Sequence, residues 1–228
     1  MELEDIPAVM EVERQSFTMP WPAHAYRREL KDNRLARYIV ARRTGPPAET
    51  EATVQSAERS PANPSRPMGW KGLFGRVMSA LAGSVEQHSP ADARSRKVVG
   101  YGGLWLMVDE AHITAIGVAP AYRGLGIGEL LLLGLIDIAR DMGAHYLTLE
   151  VRVSNAVAQN LYRKYRFKDA GVRRRYYTDN NEDALIMWSD PLASPEFRQT
   201  VEQHRRTLLE RLRSPGTLAA LRTREAAT

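Results

Sequence analysis

The period of the apolar positions changes several times along this chain, and each change marks an element. Asp5-Ile6-Pro7 opens a helix, a capping residue followed by proline in the first turn, with Ile6, Val9, Met10 and Phe17 set to face inward. Met19-Pro20-Trp21-Pro22 breaks it, and Pro22 starts a second helix to about Lys31. Residues 37–41 read as a strand, as do 98–108 and 112–118, these last two joined by a turn at Asp109-Glu110. A long apolar helix is predicted over 126–142, a strand over 146–151, and a helix over 155–165 capped by Ser154. Residues 167–177 and 183–189 pair as a hairpin around Thr178-Asp179-Asn180-Asn181. A charged helix over 196–213 carries Phe197, Val201, Leu208 and Leu212 on one stripe.

Between the early strand and the later ones, residues 44–97 have a different character. Pro46, Pro47, Pro61, Pro64, Pro67 and Pro90 lie among Ser, Ala and Glu, the mark of flexible flanks. Inside them Trp70, Leu73, Phe74, Val77, Met78 and Leu81 recur at helical spacing, predicting an amphipathic helix over 69–83. It reads either as a helix packed on the body or as one that meets a membrane surface or a partner.

The order from 112 to 165, strand–helix–strand–helix, predicts a parallel crossover, and the final hairpin makes the sheet mixed. The fold class is therefore α/β: a mixed central sheet flanked by helices, with a helical insert and a C-terminal helix. The expected organisation is a domain from 1–43 and 98–194, a Pro-rich insert at 44–97, and a basic helical tail at 195–228.

Charge changes the picture only when it is divided. The net charge is +5. Seven Lys/Arg stand against five Asp/Glu in the insert and seven against four in the tail, leaving eighteen against eighteen elsewhere. A neutral body argues against specific nucleic-acid binding. The chain has no cysteine, which rules out disulfides and a covalent thioester on the protein, and fits a reducing compartment. Its five histidines lack metal-ligand spacing, so no metal is expected. No apolar run approaches the ~18 residues of a membrane span, and the acidic N-terminus is unlike a signal peptide, so the expected location is cytoplasmic.

The candidate chemistry starts at Arg123-Gly124-Leu125-Gly126-Ile127-Gly128, a glycine-rich turn between a strand and a helix N-terminus. Such turns close backbone N–H groups on an anion, and the helix end adds partial positive charge. The sixth position is Glu129 rather than glycine, so this is not the dinucleotide fingerprint, and no Gly-Lys-Ser/Thr follows to make a P-loop. The readings left are a phosphate-bearing ligand or an ordinary turn. Glu150, a carboxylate in the apolar strand Leu147-Thr148-Leu149-Glu150-Val151, is costly there unless paired or functional. It could pair with Arg152 or Arg174, and Tyr162 on the following helix could be a core aromatic.

Taken together these residues resemble a known set. Val118-Ala119-Pro120-x-Tyr122-Arg123-Gly124-x-Gly126-x-Gly128, followed by Leu149-Glu150-Val151-Arg152-x-Ser154-Asn155-Ala156-x-Ala158-x-x-Leu161-Tyr162, is similar to the GCN5-related N-acetyltransferases. Within that superfamily, Phe17-x-x-Pro20-Trp21 and the hairpin carrying Arg173-Arg174-Arg175-Tyr176-Tyr177 resemble the bacterial ribosomal-protein alanine N-acetyltransferases of the RimI type. The resemblance covers 1–43 and 98–190. It implies acetyl-CoA as co-substrate, bound where two strands splay. Ile116, Gly117 and Val118 would pair with its pantetheine arm, and backbone N–H groups of Arg123, Gly124, Leu125, Gly126, Ile127 and Gly128 would hold its diphosphate. Asn155 would contact the arm, Glu150 would act as general base and Tyr162 as general acid. Trp21, Tyr176 and Tyr177 would meet the acceptor, a protein N-terminus with a ribosomal protein as its implied source.

An α-amine, at about 7.7–8.0, suits a carboxylate base, even one modestly raised, better than a lysine near 10.4. The alternatives are an acetyltransferase for a small amine and a CoA-binding interaction module. The chain also departs from the family pattern. The family's short first strand is expected before the first helix, whereas this sequence runs from Met1-Glu2-Leu3 directly into that helix, so the protein starts upstream or lacks an edge strand. Insert and tail are additional, and are expected to help dock the enzyme on a ribosome, an acidic partner or a membrane surface.

Overall fold

The structure, a computed structural model, describes residues 1–43 and 97–217. The amphipathic helix expected at 69–83 lies outside the described residues. Among the described residues, 1–42 and 98–217 form one compact unit. Its helices are α1 (Ile6–Ser16), α2 (Ala23–Asp32), α3 (Ile127–Asp141), α4 (Ala156–Lys164) and α5 (Pro195–Arg213). Its strands are β1 (Ala36–Arg42), β2 (Val98–Met107), β3 (Glu110–Val118), β4 (Tyr146–Arg152), β5 (Phe167–Tyr177) and β6 (Glu182–Ser189).

The strands form one mixed sheet in the order β1-β2-β3-β4-β6-β5, as the α/β reading expects. Among the described residues β3 and β4 are the one hydrogen-bonded pair that runs parallel, and α3 makes the crossover between them. Their ladder is short. It pairs Glu110 with Tyr146 through Ile113 with Leu149 and stops there. β3 continues to Val118 and β4 to Arg152, so their C-terminal ends separate and leave a gap in the middle of the sheet.

Side chains alternate across β2 and so assign the helices to two faces. A Cβ on Gly100 or Gly102 would meet Leu131, Ile127 or Leu135 of α3, whereas Tyr101 faces Phe17 and Tyr26. Helix α3 is apolar nearly all round, with Leu131, Leu132, Leu133, Leu135 and Ile136 at most 2% exposed. It is covered by the sheet on one side and by α5 on the other, which buries Phe197, Val201, Leu208 and Leu212. Each fully buried leucine contributes about 1.5–3 kcal/mol, so this layer is the main hydrophobic anchor. On the opposite face, Tyr26 makes edge contacts with Tyr38 and Tyr101 at centroid distances of 5.6 and 6.1 Å.

Two local expectations are corrected. Asn155, not Ser154, caps α4, its Oδ1 accepting the Ala158 N–H at 3.1 Å. Both residue types cap helices, and the chain selects Asn155 because Glu182 already accepts the Ser154 N–H at 2.8 Å and holds that residue outside the helix. Phe17 does not join the helix core. It is 38% exposed just past the end of α1, where extended backbone carries it toward the sheet gap.

Candidate active site

A cavity of about 450 Å³ opens at the separation of β3 and β4. Seven of the residues expected at a site line it: Trp21, Ile116, Glu150, Asn155, Tyr162, Tyr176 and Tyr177. Gly117 and Val118, at the end of β3, and the Arg123–Gly128 turn that leads into α3 are not in its lining. Phe17, Tyr101, His112 and Thr114 complete walls that the sequence did not assign. The hydroxyls of Thr114 and Tyr38 are buried, and both residues line the cavity.

The glycine-rich turn has the geometry an anion needs. Gly124 and Gly126 adopt φ of +78° and +89°, where a side chain would strain the backbone. Leu130 N–H makes the first helical bond, to Gly126 C=O at 2.9 Å, so the N–H groups from Gly126 to Glu129 have no intrahelical acceptor, and no side chain caps them. Arg123 differs from expectation, since its own N–H donates to Pro120 C=O at 3.3 Å and its Nε to Val118 C=O at 3.0 Å. It closes the turn rather than offering its backbone N–H outward.

Glu129, in the first turn of α3, is 7% exposed. Burial alone would raise its carboxyl. Hydrogen bonds from Lys164 Nζ at 2.5 Å and Tyr165 OH at 2.8 Å, with Arg211 at 3.1 Å, reverse this and hold it below the usual carboxylate range. Two cations on one carboxylate leave the start of α3 net positive.

Glu150 is paired, but with neither Arg152 nor Arg174. His112 Nε2 lies 3.0 Å from Oε2, and Arg173 Nη2 lies 3.3 Å from Oε1. The His112 hydrogen bond, with the Arg173 charge beside it, outweighs desolvation and holds the carboxyl below its usual range. Arg152 instead meets the hairpin tip, with Asp179 at 2.7 Å and Glu182 at 3.0 Å, and stacks 3.9 Å from the Tyr177 ring centroid. Thr18 donates to the same Asp179, which ties the α1–α2 loop to the β5–β6 hairpin. Trp21 in that loop rests against Tyr26 and Trp105 at 5.9 and 6.0 Å. Tyr162, on α4, packs 5.8 Å from Phe167, and burial raises its phenol well above the ordinary tyrosine value.

His112 and the Arg152 cluster gave no sequence signal, because their partners are assigned only by strand register and by the hairpin tip. A Bacillus subtilis (strain 168) protein with the provisional description ribosomal protein bS18-alanine N-acetyltransferase is 34% identical over 188 residues, 82% of this chain and 91% of that protein. The family model described as the acetyltransferase (GNAT) family matches residues 62–167. The chain belongs to the GNAT family of acetyltransferases. The N-alpha-acetyltransferase RimI of Mycobacterium tuberculosis (strain ATCC 25618 / H37Rv) is 44% identical over 97 residues, 41% of this chain and 60% of that protein. The crystal structure of the ribosomal-protein-S18-alanine N-acetyltransferase from Escherichia coli superposes with a TM-score of 0.55 at 25% identity, covering 85% of this chain and 92% of that one. The sheet gap, the glycine turn and the Glu150–Tyr162 cavity thus sit in a GNAT fold.

Proposed function

We propose that this chain transfers the acetyl group of acetyl-CoA to the N-terminal α-amine of a protein, with the N-terminal alanine of ribosomal protein bS18 as acceptor. The observation that carries the reading is a cavity at the β3–β4 gap lined by Glu150, Tyr162, Asn155 and the aromatic side chains of Trp21, Tyr176 and Tyr177. The likeness to the Bacillus subtilis protein along nearly its whole length supports the acceptor. An acceptor of that kind is made in the cytoplasm, which is where the reading places the enzyme.

Acetyl-CoA supplies the thioester and the departing thiolate. The residues of this chain do the rest. N–H groups at the start of α3 bind the diphosphate, and the uncovered edge of β3 at Ile116 to Val118 receives the pantetheine amides. Asn155, whose Oδ1 caps α4, keeps its amide N–H groups for the cofactor arm. Trp21, Tyr176 and Tyr177 line the acceptor's entrance. Glu150 takes the proton that the amine releases as its nitrogen bonds to carbon. That nitrogen is then far more acidic than a free ammonium ion, so a carboxylate held low is a sufficient acceptor. Tyr162, kept protonated by burial, offers its hydrogen to the departing sulfur. Holding amine and thioester together in one cavity accounts for much of the rate.

The test is thiol release from acetyl-CoA with peptides that begin in alanine, peptides whose only amine is a lysine, and free polyamines. The reading expects turnover with the alanine peptides and at least tenfold less with the others. Equal or better turnover of polyamines would replace it with a small-amine acetyltransferase.

A further inference from the structure

The carboxylate on which the proposed chemistry turns has a neighbour that the mechanism leaves without a part. His112 is on β3, one residue before the end of the β3–β4 ladder, directly opposite Thr148. Two residues beyond Thr148 on the same side of β4 is Glu150. The imidazole spans the two: Nδ1 lies 3.0 Å from Thr148 Oγ1 and Nε2 lies 3.0 Å from Glu150 Oε2. The His112 and Glu150 side chains are 20% and 6% exposed.

A ring nitrogen at 3.0 Å from a carboxylate oxygen requires a proton between them. A neutral imidazole meets this with Nε2–H donating to Glu150, which leaves Nδ1 to accept the Thr148 hydroxyl hydrogen. Threonine can fill that role because its hydroxyl rotates freely to donate.

We propose that His112 is a positioning residue for acetyl transfer: its Nε2–H fixes the Glu150 carboxylate, Thr148 satisfies the ring's other nitrogen, and Oε1 is left to the acceptor amine. The order is that of a serine-protease triad with two members exchanged, since here the imidazole orients and the carboxylate is the base. Arg173, the other partner of Glu150, is 57% exposed and longer at 3.3 Å, so an incoming ammonium group can displace it where it cannot displace His112. The charged and titratable groups facing the pair are Arg173, Tyr176 and Tyr177 on β5, and none of them reaches Oε2. The inference rests on the reading of Glu150 as the base of this reaction.

The experiment uses the full chain with His112→Ala and His112→Gln. Glutamine keeps an N–H donor for Glu150 and does not titrate. Three quantities are read: CoA affinity by calorimetry, kcat and KM on an alanine-starting peptide across pH, and the Glu150 carboxyl titration by carbon NMR without substrate. His112→Ala is expected to lower kcat about ten- to a hundredfold, less than loss of a general base, with CoA affinity within twofold of wild type. It should move the Glu150 titration and the acid limb of kcat to higher pH, since the donor that favours the ionised carboxylate is gone. His112→Gln should recover most of both. An alanine variant with unchanged kcat and unmoved titration overturns the inference, as does a kcat loss matched in both variants by loss of CoA affinity. Should the wild-type chain itself fail to bind CoA, the acyl-transfer reading falls, while the substrate-free titration still reports whether His112 holds Glu150.

Discussion

Glu150 and Tyr162 share a cavity, and the proposed reaction asks opposite protonation states of them, which their surroundings favour. Hydrogen bonding from His112 keeps Glu150 ionised, and burial keeps Tyr162 protonated. Glu150→Gln is therefore expected to lower kcat by at least about a hundredfold, and Tyr162→Phe by about tenfold or more. Both should leave CoA affinity by calorimetry within twofold, and a matching loss of affinity would show misfolding rather than lost chemistry. The pH dependence follows with a definite sign. A carboxyl lowered from its usual 4.5 loses its charge only as pH falls through that lower value, so kcat stays level down to about pH 5. Above that, kcat/KM climbs toward the α-amine near 7.7–8.0, because only the free amine attacks. A kcat limb centred above pH 6 that vanished in Glu150→Gln would contradict the lowered carboxyl. Gly126 gives a further residue-scale test. An added Cβ would lie 2.6 Å from Arg211 and 2.8 Å from Leu208 at a φ of +89°. Gly126→Ala should destabilise the fold by about 1–3 kcal/mol in urea unfolding and weaken CoA binding as well.

At the scale of elements, the α1–α2 loop and the β5–β6 hairpin are held to each other across the mouth by Arg152, Asp179 and Thr18. Arg152→Ala removes the shared partner and the support under Tyr177. The expected result is a rise in KM for the peptide of about three- to tenfold, with KM for acetyl-CoA unchanged, because the proposed diphosphate site is at the start of α3, away from this loop and hairpin. Helix ends were legible from sequence where the signal is local. The helix expected at Asp5-Ile6-Pro7 starts there, although the Asp5 side chain makes no cap hydrogen bond, and the last helix, expected from 196, starts at Pro195, where Ser194 Oγ accepts the Phe197 N–H at 3.2 Å. The glycine turn was legible for the same reason. Ser154 and Asn155 were not separable, since each is a good cap and the choice depends on Glu182, a residue 28 positions away. The partners of Glu150 were illegible on the same grounds. Arg152 is two residues away in sequence and Arg174 lies on the late hairpin, but β4 pairs with β3, and that register brings His112 to the carboxylate.

For the molecule as a whole, the mixed α/β sheet followed from the order of apolar runs, and its central gap did not. The gap depends on where the β3–β4 ladder stops, which no alternation of side chains records. At the point where 44–97 departs, β1 and β2 stay paired, with one register shift between Ala41 and Arg42. Arg42 pairs with Val98, and Arg43 N–H donates to Lys97 C=O at 3.1 Å. The chain therefore leaves and returns at bonded neighbours, and loop closure is the main entropic cost of the insert. Replacing residues 46–95 with a short turn is expected to retain CoA affinity and to raise unfolding stability by up to about 2 kcal/mol. A fall in stability would show that the insert contributes to the fold.

The central claim is that the gap between β3 and β4 presents acetyl-CoA to the α-amine of a protein chain. It is tested most directly by incubating the protein with acetyl-CoA and a peptide that begins in alanine and contains an internal lysine, then locating the added acetyl group by tandem mass spectrometry. The account predicts the label on the alanine α-nitrogen, lost in Glu150→Gln. Label on the lysine side chain, or none under conditions where CoA binds, would contradict it.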